Sequence, residues 1–120
     1  MVYVHVPFCR SFCTYCDFYS QTVCRGKDAE MFGKYADDVC LEAQLRRPEI
    51  EETLALNTLY IGGGTPSVLP LSCLSRIVDA VGCSPYREFT VEVNPEDIVE
   101  KGLPYVSGLL ELGVNRVSMG

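Results

Sequence analysis

Val2-Tyr3-Val4-His5-Val6-Pro7-Phe8-Cys9-Arg10-Ser11-Phe12-Cys13-Thr14-Tyr15-Cys16-Asp17-Phe18 opens the chain and decides how the rest is read. Its first five residues alternate valine with Tyr3 and His5, a period-two pattern rich in β-branched side chains. The pattern predicts a strand with Tyr3 and His5 on one face. Pro7 stops it, having no N–H for a ladder. The loop behind carries Cys9, Cys13 and Cys16 at a C-x3-C-x2-C spacing. Thiolates so close together can converge on one small object, and soft sulfur ligands point to an iron–sulfur cluster. Three ligands leave one metal position open, where chemistry takes place; a closed shell of four usually serves structure. The competing reading is a structural zinc site with His5 as fourth ligand. Zinc knuckles commonly come as two separated pairs, whereas here there is one compact triplet, and His5 sits on a regular strand before a proline.

Downstream, strand and helix patterns alternate. Phe32, Tyr35, Val39 and Ala43 recur at helical spacing, and Pro48 after Arg46-Arg47 predicts the stop, followed by an acidic connector over residues 49–52. Thr58-Leu59-Tyr60-Ile61 reads as a second strand ended by Gly62-Gly63-Gly64-Thr65-Pro66. Leu71, Leu74, Ile77, Val78 and Val81 mark a helix with Gly82 in the capping position. Phe89-Thr90-Val91-Glu92-Val93 is a third strand, stopped by Asn94-Pro95. A third helix is expected from Leu103 or Pro104 to Leu112, ending at Gly113, and a fourth strand over residues 114–119.

This alternation builds a parallel sheet, either an open doubly wound sheet or an arc of a (β/α) barrel. Each unusual stretch falls after the C-terminal end of a strand, the face on which such folds collect their sites. The glycine run lets backbone groups approach a ligand, although a tight turn alone would also use glycine. Glu92 is the sole carboxylate among the five strand residues from Phe89 to Val93 and needs a polar partner if it points inward; the alternative is an edge strand with Glu92 in solvent. His5 reads equally as a hydrogen-bonded core histidine. Arg116 and Ser118 share one face of the fourth strand.

The composition closes off several classes. The 120 residues fit one domain, 48% hydrophobic. A net charge of -6, with 16 acids against 10 bases, leaves no basic stripe for nucleic acid or for an anionic membrane surface. An odd count of 7 cysteines, with no secretory leader pattern, speaks for a reducing, cytoplasmic compartment. Cys24, Cys40, Cys73 and Cys83 share no spacing and read as ordinary packing thiols.

Four ordered motifs resemble the radical S-adenosylmethionine (SAM) enzymes, in the family of oxygen-independent coproporphyrinogen III oxidase and its heme chaperone subgroup. They are the run from Tyr3 through Cys9, Cys13, Tyr15 and Cys16 to Phe18, Gly62-Gly63-Gly64-Thr65-Pro66, Glu92-x-Asn94-Pro95-Glu96, and Gly113-x-Asn115-Arg116-x-Ser118-x-Gly120. The resemblance implies the N-terminal portion of a partial (β/α)6 TIM-like barrel, with about four parallel strands and three helices in residues 1–120. It implies that Cys9, Cys13 and Cys16 hold a 4Fe-4S cluster whose remaining iron is chelated by SAM. Reductive cleavage then yields methionine and a 5′-deoxyadenosyl radical. It assigns Tyr3, Tyr15, Gly63, Gly64, Thr65 and Glu92 to the SAM site.

The oxidase branch carries a further cysteine two residues after the third ligand, where this chain has Phe18. The resemblance is therefore closer to the heme chaperone subgroup, which binds heme and passes it to heme proteins, with decarboxylation of porphyrinogen propionates as the alternative. A flavodoxin- or ferredoxin-like electron donor and heme-accepting proteins are the implied partners, with membrane contact only through a heme acceptor. The family's core has six β/α units and a C-terminal domain. The chain is thus expected to be an N-terminal portion with incomplete cofactor and substrate sites.

Overall fold

A computed structural model describes residues 1–9, 21–22, 28–53, 57–82 and 86–119, with only the backbone of Cys9, Gln21, Thr22, Asp28, Ala29 and Thr53. In chain order the elements are β1 (Val2–Val6), β2 (Phe8–Cys9), β3 (Gln21–Thr22), α1 (Asp28–Leu45), α2 (Arg47–Thr53), β4 (Thr58–Gly63), a 3-10 turn (Pro66–Val68), α3 (Leu71–Val81), β5 (Glu88–Val93), α4 (Pro95–Leu112) and β6 (Arg116–Met119).

Four strands form one parallel sheet in the order β1-β4-β5-β6. The order is monotonic, with no reversal of the kind that creates the central crevice of a doubly wound sheet. Val4, Val6, Leu59, Ile61, Phe89, Val91 and Val93 lie in one core cluster with Phe32 and Ala36 of α1, Leu74, Ile77 and Val81 of α3, and Tyr105 and Leu109 of α4. All three long helices therefore pack on one face. The opposite face carries Tyr3, His5, Tyr60, Glu92, Arg116 and Ser118, whose register partners across the ladders are Tyr3 with Tyr60 and Glu92 with Ser118. An apolar outer face under helices and a polar inner face is the pattern of a barrel arc, so of the two closures the structure takes the barrel.

The expected helix from α1 and the capped α3 are present, α3 closing at Gly82, whose N–H bonds the Val78 carbonyl at 2.9 Å. Two expectations need correction. Residues 49–52 are not a connector but part of α2, in which Pro48 stands in the first turn, where its missing N–H leaves nothing unsatisfied. What holds so short a helix is tertiary: the Arg47 guanidinium donates to the carbonyls of Ala80 and Val81 at the end of α3. Residues 95–101, for which the sequence predicts no helix, are helical too and open α4, with the Asn94 side chain accepting the Glu96 N–H at 2.9 Å. Gly102 at φ 70° and ψ -165° interrupts the helical backbone, so the expected helix from Leu103 to Leu112 is present as the segment after this kink, with Pro104 in its first turn and Gly113 at its end. The 2-residue strands β2 and β3, paired parallel to each other, carry too little periodicity to be read beforehand.

Candidate functional site at the C-terminal edge of the sheet

The glycine turn and the start of the thiol segment are stitched together by backbone. Gly64 N–H donates to the Val6 carbonyl at 2.7 Å and Thr65 N–H to the Phe8 carbonyl at 2.6 Å. Phe8 is 4% exposed and meets Phe32 and Tyr35 edge-on, with centroids 5.2 and 5.4 Å away. That aromatic anchor fixes the chain immediately before Cys9, so the backbone of the first expected ligand leaves the sheet beside Thr65. The side chain of Cys9, and Cys13, Tyr15, Cys16 and Phe18 entirely, lie outside the described residues. Among the described residues no His, Cys, Asp and Glu side chains cluster as a metal site.

Glu92 is the centre of the described part. Its strand β5 runs between β4 and β6, so it is not on an edge, and the side chain is half-buried. The partner it needs is supplied by the protein. Oε2 accepts the Tyr60 hydroxyl at 2.6 Å and Oε1 accepts the Gly63 N–H at 3.0 Å. A carboxylate offers about four lone-pair sites, so two bonds leave it further acceptor capacity. The bond to Glu92 is the chief reason the Tyr60 phenol is held above its ordinary pKa, with burial adding to it and a hydrogen bond from Ser118 opposing it.

The glycines have reasons within the fold. A Cβ at Gly62 would lie 2.7 Å from Tyr60 Cε1 and 2.9 Å from Glu92 Oε1. At Gly63, φ is 117° and a Cβ would meet the Val6 carbonyl oxygen at 2.5 Å and the His5 ring at 2.9 Å. Gly64 instead opens onto a cavity of 270 Å³ lined by Gly64, Thr65, Pro66, Glu92, Val93, Asn94 and Ser118. Carboxylate, hydroxyl and amide groups on its wall suit a ligand bearing amino and hydroxyl groups.

Tyr3 stacks on Tyr60 with centroids 5.7 Å apart and bonds His5 Nδ1 through its hydroxyl at 3.3 Å. His5 is exposed on the inner face and is not the core histidine that was one reading of the sequence. The structure thus brings Gly63, Gly64, Thr65 and Glu92 together at one edge, whereas Tyr3 stands lower on the inner face, outside the cavity wall, and is linked to Glu92 only through Tyr60, a residue the sequence reading does not single out. Its signal was parity: Tyr60 shares a face with Gly62 and, through the sheet, with Glu92. Arg116 pairs with Glu88 at 2.8 Å on the surface, and only Ser118 of that strand lines the cavity. Of the remaining thiols, Cys73 is buried, which raises its pKa, and half-buried Cys40 contacts the Arg76 carbonyl at 3.7 Å. Cys24 and Cys83 lie outside the described residues.

No family model matches the chain. It is 34% identical to heme chaperone HemW of Lactococcus lactis over 98% of this chain and 29% of that protein. It is 31% identical to oxygen-independent coproporphyrinogen III oxidase of Paracoccus denitrificans over 99% of this chain and 26% of that one. The chain superimposes on coproporphyrinogen III oxidase (HemN) from Escherichia coli, described as a radical SAM enzyme, with TM-score 0.74 and 28% identity. That match covers 99% of this chain and 27% of the solved one. The chain therefore spans less than a third of the length of the relatives it matches. Across nearly its whole length it is a homologue of proteins named heme chaperone HemW and oxygen-independent coproporphyrinogen III oxidase.

Proposed function

We propose that this chain is the cluster- and SAM-binding portion of a radical SAM protein of the heme chaperone type, which binds heme and delivers it to heme proteins. One observation carries the reading: Glu92, held by Tyr60 and the Gly63 N–H, faces an oxygen-rich cavity walled by the glycine turn, beside the backbone of Cys9. The donors fit the group. Spare lone pairs on Glu92 suit the hydroxyls or ammonium of SAM, and the bare backbone at Gly64 lets a ligand close on the peptide plane. Cys9, Cys13 and Cys16 are the residues that would hold a 4Fe-4S cluster. When bound, the cluster supplies one electron for reductive cleavage of the SAM sulfonium. The chain's own residues orient: Glu92 accepts from the nucleoside or amino end, Tyr60 and Gly63 keep the carboxylate aimed, and Tyr3 backs Tyr60 by stacking.

Anaerobic reconstitution with iron and sulfide tests the cluster. A brown chromophore and an electron spin resonance signal on reduction are expected, both lost in C9A, C13A and C16A. A colourless protein that retains zinc instead overturns the proposal. The oxidase names among the homologues and the HemN likeness favour a second reading, porphyrinogen decarboxylation. Saturable heme binding without porphyrinogen turnover supports the chaperone, for which Phe18 in place of the oxidase branch's further cysteine argues. Turnover supports the oxidase.

A further inference from the structure

Ser67 follows the glycine turn and is 0% exposed; Asp97 lies in the first turn of α4 and is 2% exposed. The Ser67 hydroxyl donates to Asp97 Oδ2 at 2.6 Å and accepts the Asn94 backbone N–H at 2.9 Å. A carboxylate so deeply buried costs free energy unless it is hydrogen-bonded, and a hydroxyl using both donor and acceptor has one orientation. The same segment is gripped again further on. Lys101 Nζ donates to the carbonyls of Ser67 and Leu69, at 2.5 and 3.4 Å, and Tyr105 donates to Leu69 at 3.2 Å while its ring lies 4.4 Å beneath Lys101 Nζ.

The clasp has a specific place. Gly64, Thr65 and Pro66 make one wall of the 270 Å³ cavity, and Glu92, Val93 and Asn94 make the other. Ser67 continues the first wall and Asp97 the second. The β4–β5 ladder ends at Ile61 with Val91, so beyond it the walls are joined by the Gly63–Glu92 bond and by the clasp.

We propose that Ser67 and Asp97 are positioning residues that set the width of this cavity, and so the affinity for the SAM it receives. The inference rests on the function proposed above. It assigns the clasp to ligand binding in addition to fold stability. Removing the Ser67 hydroxyl takes away the direct tie between the Asn94 turn and the segment after the glycine turn, while Lys101 and Tyr105 still hold that segment to α4 and the strands below remain paired.

The test is equilibrium dialysis of SAM against protein reconstituted anaerobically with iron and sulfide, beside amide hydrogen exchange. For D97A, which loses the single Ser67–Asp97 bond, the dissociation constant is expected to rise about tenfold, and for S67A, which loses the Asn94 bond as well, at least as much. D97N, whose amide oxygen still accepts from Ser67, is expected to stay within about threefold of wild type, a gap well under one such bond. Exchange is expected to quicken at residues 63–65 and 94 in S67A and D97A, not in D97N. Should S67A fold poorly, S67C keeps the size with a weaker donor and is expected to fall between. A lowered melting temperature with unchanged SAM affinity means a merely structural clasp and overturns the inference. Equal binding by wild type and S67A overturns it alone; no binding by wild type overturns the SAM reading with it.

Discussion

Glu92 accepts one hydrogen bond on each oxygen, from Tyr60 and from Gly63, and that pair of bonds dictates how substitutions there behave. In E92Q the amide oxygen can still take the Gly63 N–H while the NH2 donates to Tyr60, so the melting temperature is expected to change little. E92A leaves a phenol and a peptide N–H without this acceptor, and a clear fall in melting temperature is expected by calorimetry. Both are expected to weaken SAM binding, because each removes the negative charge from the cavity wall. A drop in stability equal for the two variants would show that the bonds contribute nothing. In the sequence, Glu92 stood out as a carboxylate amid apolar strand residues, but the pattern left open whether it points inward or into solvent on an edge strand. Its partner did not stand out, because Tyr60 lies 32 positions away and meets it only when β4 and β5 pair.

At the scale of elements, two glycines make opposite predictions. Gly63 sits at φ 117° with the Val6 carbonyl oxygen in the way of any Cβ, so G63A is expected to destabilise by roughly 2 kcal/mol or more. Gly33 lies inside α1, where an added Cβ meets nothing within 4 Å, so G33A is expected to stabilise by about 1 kcal/mol. Urea denaturation of the two variants measures both. A third prediction concerns α2. Arg47 binds two carbonyls at the end of α3, and R47M is expected to cost roughly 1.5–3 kcal/mol, the range for hydrogen bonds to charged groups. The core helices were legible because α3 repeats its apolar residues every turn. α2 was not: 7 residues with one proline carry little period, and what stabilises them is 33 positions downstream.

The whole molecule responds to alkali. Tyr35 is pushed well above the ordinary tyrosine range, first by burial and then by the Glu42 carboxylate and Tyr3; Tyr105 is raised by burial and by Asp97. Both donate to backbone carbonyls, of His5 and Leu69. Because the folded state holds these protons longer than the unfolded chain, their stabilisation is complete below pH about 10. It is lost as pH rises from there toward the folded values. Denaturant midpoints are therefore expected to fall above pH about 10, less steeply in Y105F; a slope unchanged in that variant would refute the assignment. The sheet also has an exposed apolar margin: Val117 is 48% and Met119 61% exposed on β6, which among the described residues pairs on one side only. Concentration-dependent self-association of the 120-residue chain is expected in sedimentation, reduced in V117K.

The sequence by itself determined the four strands, the main helices and the positions of glycine turn and carboxylate after strand ends, because periodicity and turn chemistry are local. Alternation by itself does not choose between an open sheet and a barrel arc, since both use it. The motifs and their family resemblance point to the barrel, and the tertiary structure bears that out through a monotonic strand order with every long helix on one face. The tertiary structure also joined Tyr60 to Glu92 and Ser67 to Asp97. Such pairs are made by strand register and by the packing of a crossover helix, long-range constraints that no local pattern of residues encodes.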